Sequence, residues 1–364
     1  LGRKKIVKVL AIDGGGIRGV IPATFCAHLE TITGCTVPMW KLFDFIVGTS
    51  TGGAITMLLT RPDPVRPGRA RFTAQDCVNL YLQHGKDLFY APPEYMANNA
   101  YHLAPEIPES SIVDTLQKFL PKPDCELKDA LTDVAVTAYD LITRKPLMFS
   151  SLLAKKNPDG NFYMRDVVQA SAAFPGLFAA AEITSVGGNR SLLCIDGGMS
   201  GNSPIVQSYA YAFMATKHPE LLFAPAEQAA GAVPDFAWEG FKGPMPMIFA
   251  QPDPDIQVIV VSLGTGHYLS RIPYDTARPW GFLQWGAIVT DVMFDATTYT
   301  AEYEARKLLD KKNYFRFQVN LPATLSGMAD PSHVETLHKL ADKAISPGGR
   351  LYREFQRLQK ALAG

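Results

Sequence analysis

The first sixty residues repeat one arrangement of apolar and polar positions. Ile6-Val7-Lys8-Val9-Leu10-Ala11-Ile12 is a short apolar run rich in β-branched side chains, and it predicts a buried strand. A glycine-rich turn from Asp13 to Gly19 closes it. Pro22 falls where a first helical turn tolerates proline, and Ile21, Phe25, Leu29 and Ile32 follow at helical spacing. Phe45-Ile46-Val47 predicts a second strand, Gly48 to Gly53 a second glycine turn, and Ala54 to Leu59 a second helix. Strand, turn and helix in that order, twice, predict a parallel sheet wrapped by helices.

Farther along, a helix is expected from the N-cap Thr73 to about Leu88, and a strand over Asp133 to Tyr139. A helix over Asp166 to Phe174 stops at Pro175. Glu182 to Val186 and Ser191 to Ile195 flank Gly187-Gly188-Asn189 as a hairpin. Asn202 to Lys217 reads as a helix, Ile256 to Val261 as a strand leading into Ser262-Leu263-Gly264-Thr265-Gly266, and the tail from His333 as helical. Phe89 to Pro108 has no clear period, and Pro219 to Pro254 reads as a proline-dotted insertion. No repeat, low-complexity tract or clean linker divides the 364 residues. One α/β domain is expected: a core over about 5–266, insertions over about 61–108 and 219–254, and a helical part over about 285–364.

Composition narrows the function classes. Lys+Arg and Asp+Glu both number 35, so no global field favours nucleic acid, and membrane attraction has to come from local patches. The five cysteines are scattered and never form CxxC, so neither a disulfide scaffold nor a zinc site is expected, and a reducing compartment fits them. No stretch approaches the ~18 uninterrupted apolar residues of a spanning helix. Leu1-Gly2-Arg3-Lys4-Lys5 runs into a strand pattern rather than a signal sequence, although without a Met the start leaves an upstream signal open. The expectation is a soluble, cytoplasmic protein, peripheral to membranes when acting. Nothing in the sequence bears on oligomeric state.

Two turns carry candidate chemistry. Gly48-Thr49-Ser50-Thr51-Gly52 sets a serine on a strand-to-helix turn, with small residues two positions to either side so that its hydroxyl can project. A nucleophile fits that context better than a helix-capping serine. Asp13-Gly14-Gly15-Gly16-Ile17-Arg18-Gly19 follows the other strand, and its consecutive glycines let backbone N–H groups converge on an anion. Arg18 either adds positive charge there or forms a structural ion pair. Gly14, Gly16 and Gly19 also fit GxGxxG, but a dinucleotide site expects an acidic residue about 20 positions on, and none stands there. Two residues could serve the serine as base. His267 follows a strand and glycine turn, and Asp196 heads Asp196-Gly197-Gly198 at a strand end. Spacing alone leaves both open.

The three segments Asp13 to Gly19, Gly48 to Gly53 and Asp196 to Gly198 resemble, in order, the signatures of the patatin-like phospholipases. Ala170-Ser171-Ala172-Ala173-Phe174-Pro175 and Ser262 to Gly266 agree, and the likeness runs from about residue 5 to 266. The resemblance implies a three-layer α/β/α fold with a mostly parallel sheet and a Ser50–Asp196 dyad without histidine. It implies Gly14, Gly15 and Gly16 as the oxyanion loop, supported by Arg18. It implies acyl hydrolysis of phospholipids or lysophospholipids with no metal or other cofactor. Activation by a small molecule or a protein also occurs among such enzymes, and the insertions offer room for it.

Alternatives are a soluble esterase, thioesterase or acyltransferase on the same dyad, or a non-catalytic protein sensing a nucleotide or lipid. Aromatic segments at Phe89 to Tyr101 and His267 to Trp285 are candidates for a lipid-access rim or for pinning long loops. Arg61, Arg66, Arg69 and Arg71 form a basic run that suits anionic headgroups or a solvated face.

Overall fold

Alternate residues of the central strands go to opposite faces of one eight-stranded sheet. In β1 (Lys5–Ile12), Leu10 and Ile12 join the larger apolar core, while Val7, Val9 and Ala11 join a smaller one on the other face. β2 (Phe45–Thr49) divides Ile46 from Phe45 and Val47 in the same way, and β7 (Ile256–Leu263) divides Ile259 and Val261 from Val258 and Val260. Strands buried on both faces need helices on both. The helices Val20–Glu30 and Thr51–Thr60 cover one face through Ile21, Phe25, Leu29, Ile55 and Leu58. Ile205–Lys217 and the last turns of Val289–Leu308 cover the other through Ile205, Tyr211 and Ala305. The computed structural model describes residues 5–31, 37–217, 256–268, 272–286 and 288–363.

The sheet is mostly parallel. β1 pairs in parallel with β2 and β7, β2 with β3 (Asp133–Asp140), and β7 with β8 (Tyr314–Phe317). Three antiparallel strands extend it: β4 (Lys145–Ser150), β5 (Ala181–Thr184) and β6 (Ser191–Asp196). The order is β5-β6-β3-β2-β1-β7-β8, with β4 also on β3. This is the three-layer α/β/α architecture.

One detail of register builds the site. β4 pairs with β3 from Ala135 to Asp140, so β2 and β6 share the opposite edge of β3. On that edge Thr49 of β2 faces Thr137, and Asp196 of β6 faces Ala138, the next residue. β2 runs parallel to β3 and β6 antiparallel, so their carboxyl ends converge. Residues that follow or end these strands are forced together.

The helix expected from the N-cap Thr73 forms as Ala74–Leu88 within the stretch 61–108 read as an insertion; its Cys77, Val78 and Tyr81 lie in the larger core, and Thr73 caps it by a capping box with Asp76. Phe89 to Pro108 holds a short helix, Pro93–Asn98. The part read as helical beyond 285 also supplies β8, a four-residue strand too short to show a period. β4 escaped notice because Pro146 breaks the pattern, which a strand paired on one side tolerates. Cys26, Cys77, Cys125 and Cys194 are buried free thiols, while Cys35 and the insertion 219–254 lie outside the described residues. Among the described residues no helix is long and apolar enough to cross a membrane.

Candidate active site

Two glycines make room for the serine. A β-carbon at Gly48 would fall 2.2 Å from the Gly52 carbonyl carbon, and one at Gly52 would fall 2.2 Å from the Ile12 carbonyl oxygen. The turn is therefore tight, and it holds Ser50 at φ 55° and ψ −120°. A side-chain-bearing residue keeps such a conformation only under constraint, at a cost of about 1–3 kcal/mol. The constraint is visible. The Ser50 amide donates to Ser171 Oγ at 2.7 Å, and Ser171 Oγ donates to the Thr137 carbonyl at 2.6 Å. Thr49 Oγ1 and Thr137 Oγ1 hydrogen-bond at 2.7 Å, locking β2 to β3 just before the turn.

Asp196 arrives from the converging end of β6. Its Oδ2 accepts from Ser50 Oγ at 2.6 Å, and its Oδ1 accepts from the Gly198 amide at 2.7 Å. The Asp196 amide donates to the Ala173 carbonyl at 3.0 Å, and the Gly197 amide to the Ser171 carbonyl at 3.3 Å. The segment Ala170 to Pro175 thus backs both Ser50 and Asp196. Asp196 is 1% exposed and Ser50 6%. Burial pushes the Asp196 carboxyl up to about 7, against the pull of the hydrogen bonds from Ser50 and Gly198. A group near 7 can take and return a proton at neutral pH.

The glycine loop divides its labour. The Gly14 amide donates to the Asn202 carbonyl at 3.2 Å, and the Gly14 carbonyl accepts from Thr265 Oγ1 at 2.6 Å. That amide is used within the protein, so Gly14 fixes the loop and does not offer a donor. Gly15 and Gly16 line the cavity that also holds Ser50 and Asp196, and among the described residues neither amide has a protein acceptor. Gly16 needs to be glycine: its φ is 58°, and a β-carbon there would fall 2.1 Å from the Met328 carbonyl oxygen. Thr51 lines the same cavity as the first residue of its helix, where amides lack intrahelical acceptors. All three residues border the cavity beside Ser50.

Behind the loop, Asp13 sits in a buried polar network. Arg316 Nη2 donates to Asp13 Oδ2 at 2.6 Å, and Ser203 Oγ to Asp13 Oδ1 at 2.7 Å. Arg316 also donates to Glu302 at 2.8 Å, and these two carboxylates hold it charged against its burial. The network fixes the strand end from which the loop departs.

Arg18 and His267 lie elsewhere. Both line a second cavity, whose lining includes neither Ser50 nor Asp196. Arg18 is buried, its Nε has no hydrogen-bond partner among the described residues, and burial lowers its pKa while Asp291 and Asp295 raise it. The His267 amide donates to the Val319 carbonyl at 2.9 Å, and its ring meets Tyr299 edge-on at 5.5 Å. It is Asp196, not His267, that touches Ser50.

The first cavity measures about 850 Å³ and runs from the serine past Leu58, Leu80, Ile112, Leu116, Phe119 and Phe178. Its walls are apolar, as an acyl chain requires. His102, Ala104, Gly286 and Thr290 also line it. Near these residues in sequence, Tyr90, Met96, Tyr101, Leu103, Trp285 and Val289 expose apolar surface. Phe89 instead packs against Phe178 at 5.9 Å. The basic run is partly consumed: Arg61 is buried and donates to the Phe119 carbonyl, and Arg66 pairs with Asp63 at 2.6 Å. Among the described residues, no group of three His, Cys, Asp or Glu side chains could hold a metal ion.

Four site residues escaped the sequence reading as such. Ser171 and Thr265 lie inside small-residue segments, Ser171 near the end of a helix and Thr265 just past the end of β7, and only Thr265 had a hydroxyl beside a strand end as a signal. Asn202 and Arg316 gave none, because only the fold brings them to the loop.

The chain is similar to known proteins. A family model described as "Patatin-like phospholipase" matches residues 10–208, more than half of the chain. The chain is 28% identical over 345 residues to "Probable inactive patatin-3-Kuras 1" of Solanum tuberosum, covering 90% of this chain and 83% of the relative. It is 28% identical over 340 residues to "Patatin-like protein 3" of Arabidopsis thaliana, covering 86% and 73%. Similarity to "Patatin-T5" of Solanum tuberosum is 28% over 346 residues, covering 90% and 80%.

Proposed function

The chain belongs to the patatin-like phospholipase family, and from that premise we propose that it cleaves carboxylic esters of phospholipids or lysophospholipids through Ser50 and Asp196. Lipid acyl hydrolysis is the general activity of the family. The observation that carries the finer reading is the 2.6 Å hydrogen bond from Ser50 Oγ to a buried carboxylate whose pKa is about 7.

The chemistry follows from those atoms. Asp196 Oδ2 takes the Ser50 proton as Oγ attacks the ester carbonyl, and the amides of Gly15, Gly16 and Thr51 receive the developing oxyanion. Collapse breaks the ester C–O bond, and Asp196 returns the proton to the departing alcohol. Water then attacks the acyl-serine with Asp196 again as base, releasing the fatty acid and restoring Ser50. Loss of one oxyanion donor from such a site costs about 2.7–4 kcal/mol.

Substrate class follows from the cavity. Its apolar walls suit a fatty acyl chain, and the exposed Tyr101, Leu103, Trp285 and Val289, next in sequence to the lining residues His102, Gly286 and Thr290, suit transient contact with a lipid surface. The name of one relative calls it inactive. Here both Ser50 and Asp196 are present and hydrogen-bonded, which supports an active enzyme over a non-catalytic sensor. The test is fatty-acid release from phospholipid vesicles, compared with monomeric short-chain esters, by wild type and Ser50→Ala. Release from vesicles that Ser50→Ala abolishes is expected. Turnover confined to monomeric esters would assign a soluble esterase instead.

A further inference from the structure

Gly19, the last glycine of the loop motif, is glycine for want of room. Its φ of −55° and ψ of −18° are ordinary helical values that any residue adopts, so its backbone does not require glycine. A β-carbon there would fall 2.2 Å from Thr51 Oγ1 and 2.5 Å from Tyr81 Oη, too close for either. That place is taken by a pair of hydroxyls. Thr51 Oγ1 and Tyr81 Oη hydrogen-bond to each other, and Tyr81 Oη stands 3.5 Å from the Thr51 carbonyl oxygen. Both residues are buried.

Three chain segments meet at that pair. Gly19 ends the glycine loop, Thr51 follows the nucleophile, and Tyr81 comes from the helix Ala74–Leu88. The helix is anchored away from the serine. Beyond its capping box, the Ala74 amide donates to the buried Glu30 Oε2 at 2.8 Å, and Cys77 and Val78 lie in the larger core. One turn past Tyr81 the helix packs on the loop itself, where a β-carbon at Gly85 would fall 2.8 Å from Ile17 Cδ1. Burial raises the Tyr81 phenol above its ordinary range, so it keeps its proton where Asp196 titrates.

We propose that Tyr81 is a positioning residue of the oxyanion site, holding Thr51 by its hydroxyl so that the amides of Thr51 and the glycine loop converge on one oxygen. This role rests on the ester hydrolysis proposed above and adds the residue that sets the spacing of a donor set drawn from two segments. Gly15 and Gly16 belong to the loop and Thr51 to the nucleophile turn, so their amides stay aligned only while the two segments keep their separation. The hydroxyl pair is wedged at that junction, against Gly19. The Tyr81 ring also lines the first cavity. Tyr81→Phe keeps that wall and removes only the hydroxyl, which separates positioning from substrate binding.

The experiment is steady-state turnover of a monomeric ester by wild type, Tyr81→Phe, Thr51→Val and the double variant, with the inhibition constant of an alkyl trifluoromethyl ketone measured on each. The ketone adds reversibly to Ser50 Oγ, and the adduct carries the oxyanion of the transition state. Each single variant is expected to lose about tenfold or more in kcat, with KM nearly unchanged and ketone affinity falling in step. Both remove the same hydrogen bond, so the double variant is expected to be no slower than the slower single one. Thr51→Ser, which keeps the hydroxyl, is expected to keep the wild-type kcat. Should Tyr81→Phe fail to fold, Thr51→Val set against Thr51→Ser carries the same test, and equal kcat in those two overturns the role. Wild-type kcat in folded Tyr81→Phe, losses that add in the double variant, or ketone affinity that does not follow kcat overturns it as well. Wild type that neither turns over esters nor labels with a fluorophosphonate overturns ester hydrolysis itself, and this role with it.

Discussion

The amide of Ser50 donates to the hydroxyl of Ser171 at 2.7 Å across 121 positions of sequence. Ser171 passes the restraint to β3 through the Thr137 carbonyl, so a side chain holds the backbone of the nucleophile in its strained turn. Ser171→Ala leaves a buried N–H and a buried carbonyl without that partner, each costing about 1–3 kcal/mol. A lower melting temperature and a lower kcat are expected together. Thermal denaturation and turnover at wild-type values would show that the turn holds itself.

Asp196 links catalysis to stability. Its carboxyl is near 3.8 in an unfolded chain and about 7 when folded. Between those values the folded protein binds more protons, so stability falls as pH rises through that window. Below it the carboxyl is neutral in both states, and above it the full cost of a buried charge is present. Asp196→Asn, which removes that cost, is expected to gain melting temperature relative to wild type as pH is raised from about 5 to about 8. A gap that stays constant or shrinks over that range, in parallel melting curves, would mean that Asp196 is not desolvated as described.

Gly16 offers a test of the oxyanion loop. With φ at 58° and the Met328 carbonyl 2.1 Å from a would-be β-carbon, Gly16→Ala must displace the loop. Loss of a transition-state donor lowers kcat about 10²–10³-fold and leaves KM nearly unchanged. Thr265→Val, which removes only the hydroxyl on the Gly14 carbonyl, is expected to cost less. Steady-state kinetics on a monomeric ester separate kcat from KM; a pure KM effect would place Gly16 in substrate binding.

The rim predicts a split between substrates. Tyr101 and Leu103, 86% and 90% exposed, flank His102, which lines the cavity. The double variant Tyr101→Ser, Leu103→Ser is expected to lose more rate on vesicles than on a monomeric ester, with weaker co-sedimentation with vesicles. Equal losses on both substrates would make this segment a structural strap.

How far the sequence foretold this arrangement depends on distance along the chain. The two strand–turn–helix units are local, and their apolar period and glycine turns announced β1, β2 and Ser50 directly. Spacing left Asp196 and His267 both open as bases and the family resemblance chose Asp196, but how it reaches Ser50 lies in the register in which Thr49 and Asp196 meet consecutive residues of β3. Long-range pairing of that kind leaves no period in the sequence. For the same reason the loop's motif could not reveal that the Gly14 amide is taken by Asn202, or that Arg18 faces a separate cavity. β8 and Arg316 were hidden in a stretch whose neighbours are helical, where four strand residues carry little signal.

The most direct test of the central claim is the rate at which a fluorophosphonate labels Ser50, followed against pH in wild type and Asp196→Asn. If Asp196 takes the serine proton, wild-type labelling falls with protonation of a single group as pH drops below about 7, and the variant labels at least about a hundredfold more slowly at every pH. Labelling of folded Asp196→Asn at the wild-type rate would contradict the dyad and return the role of base to another residue.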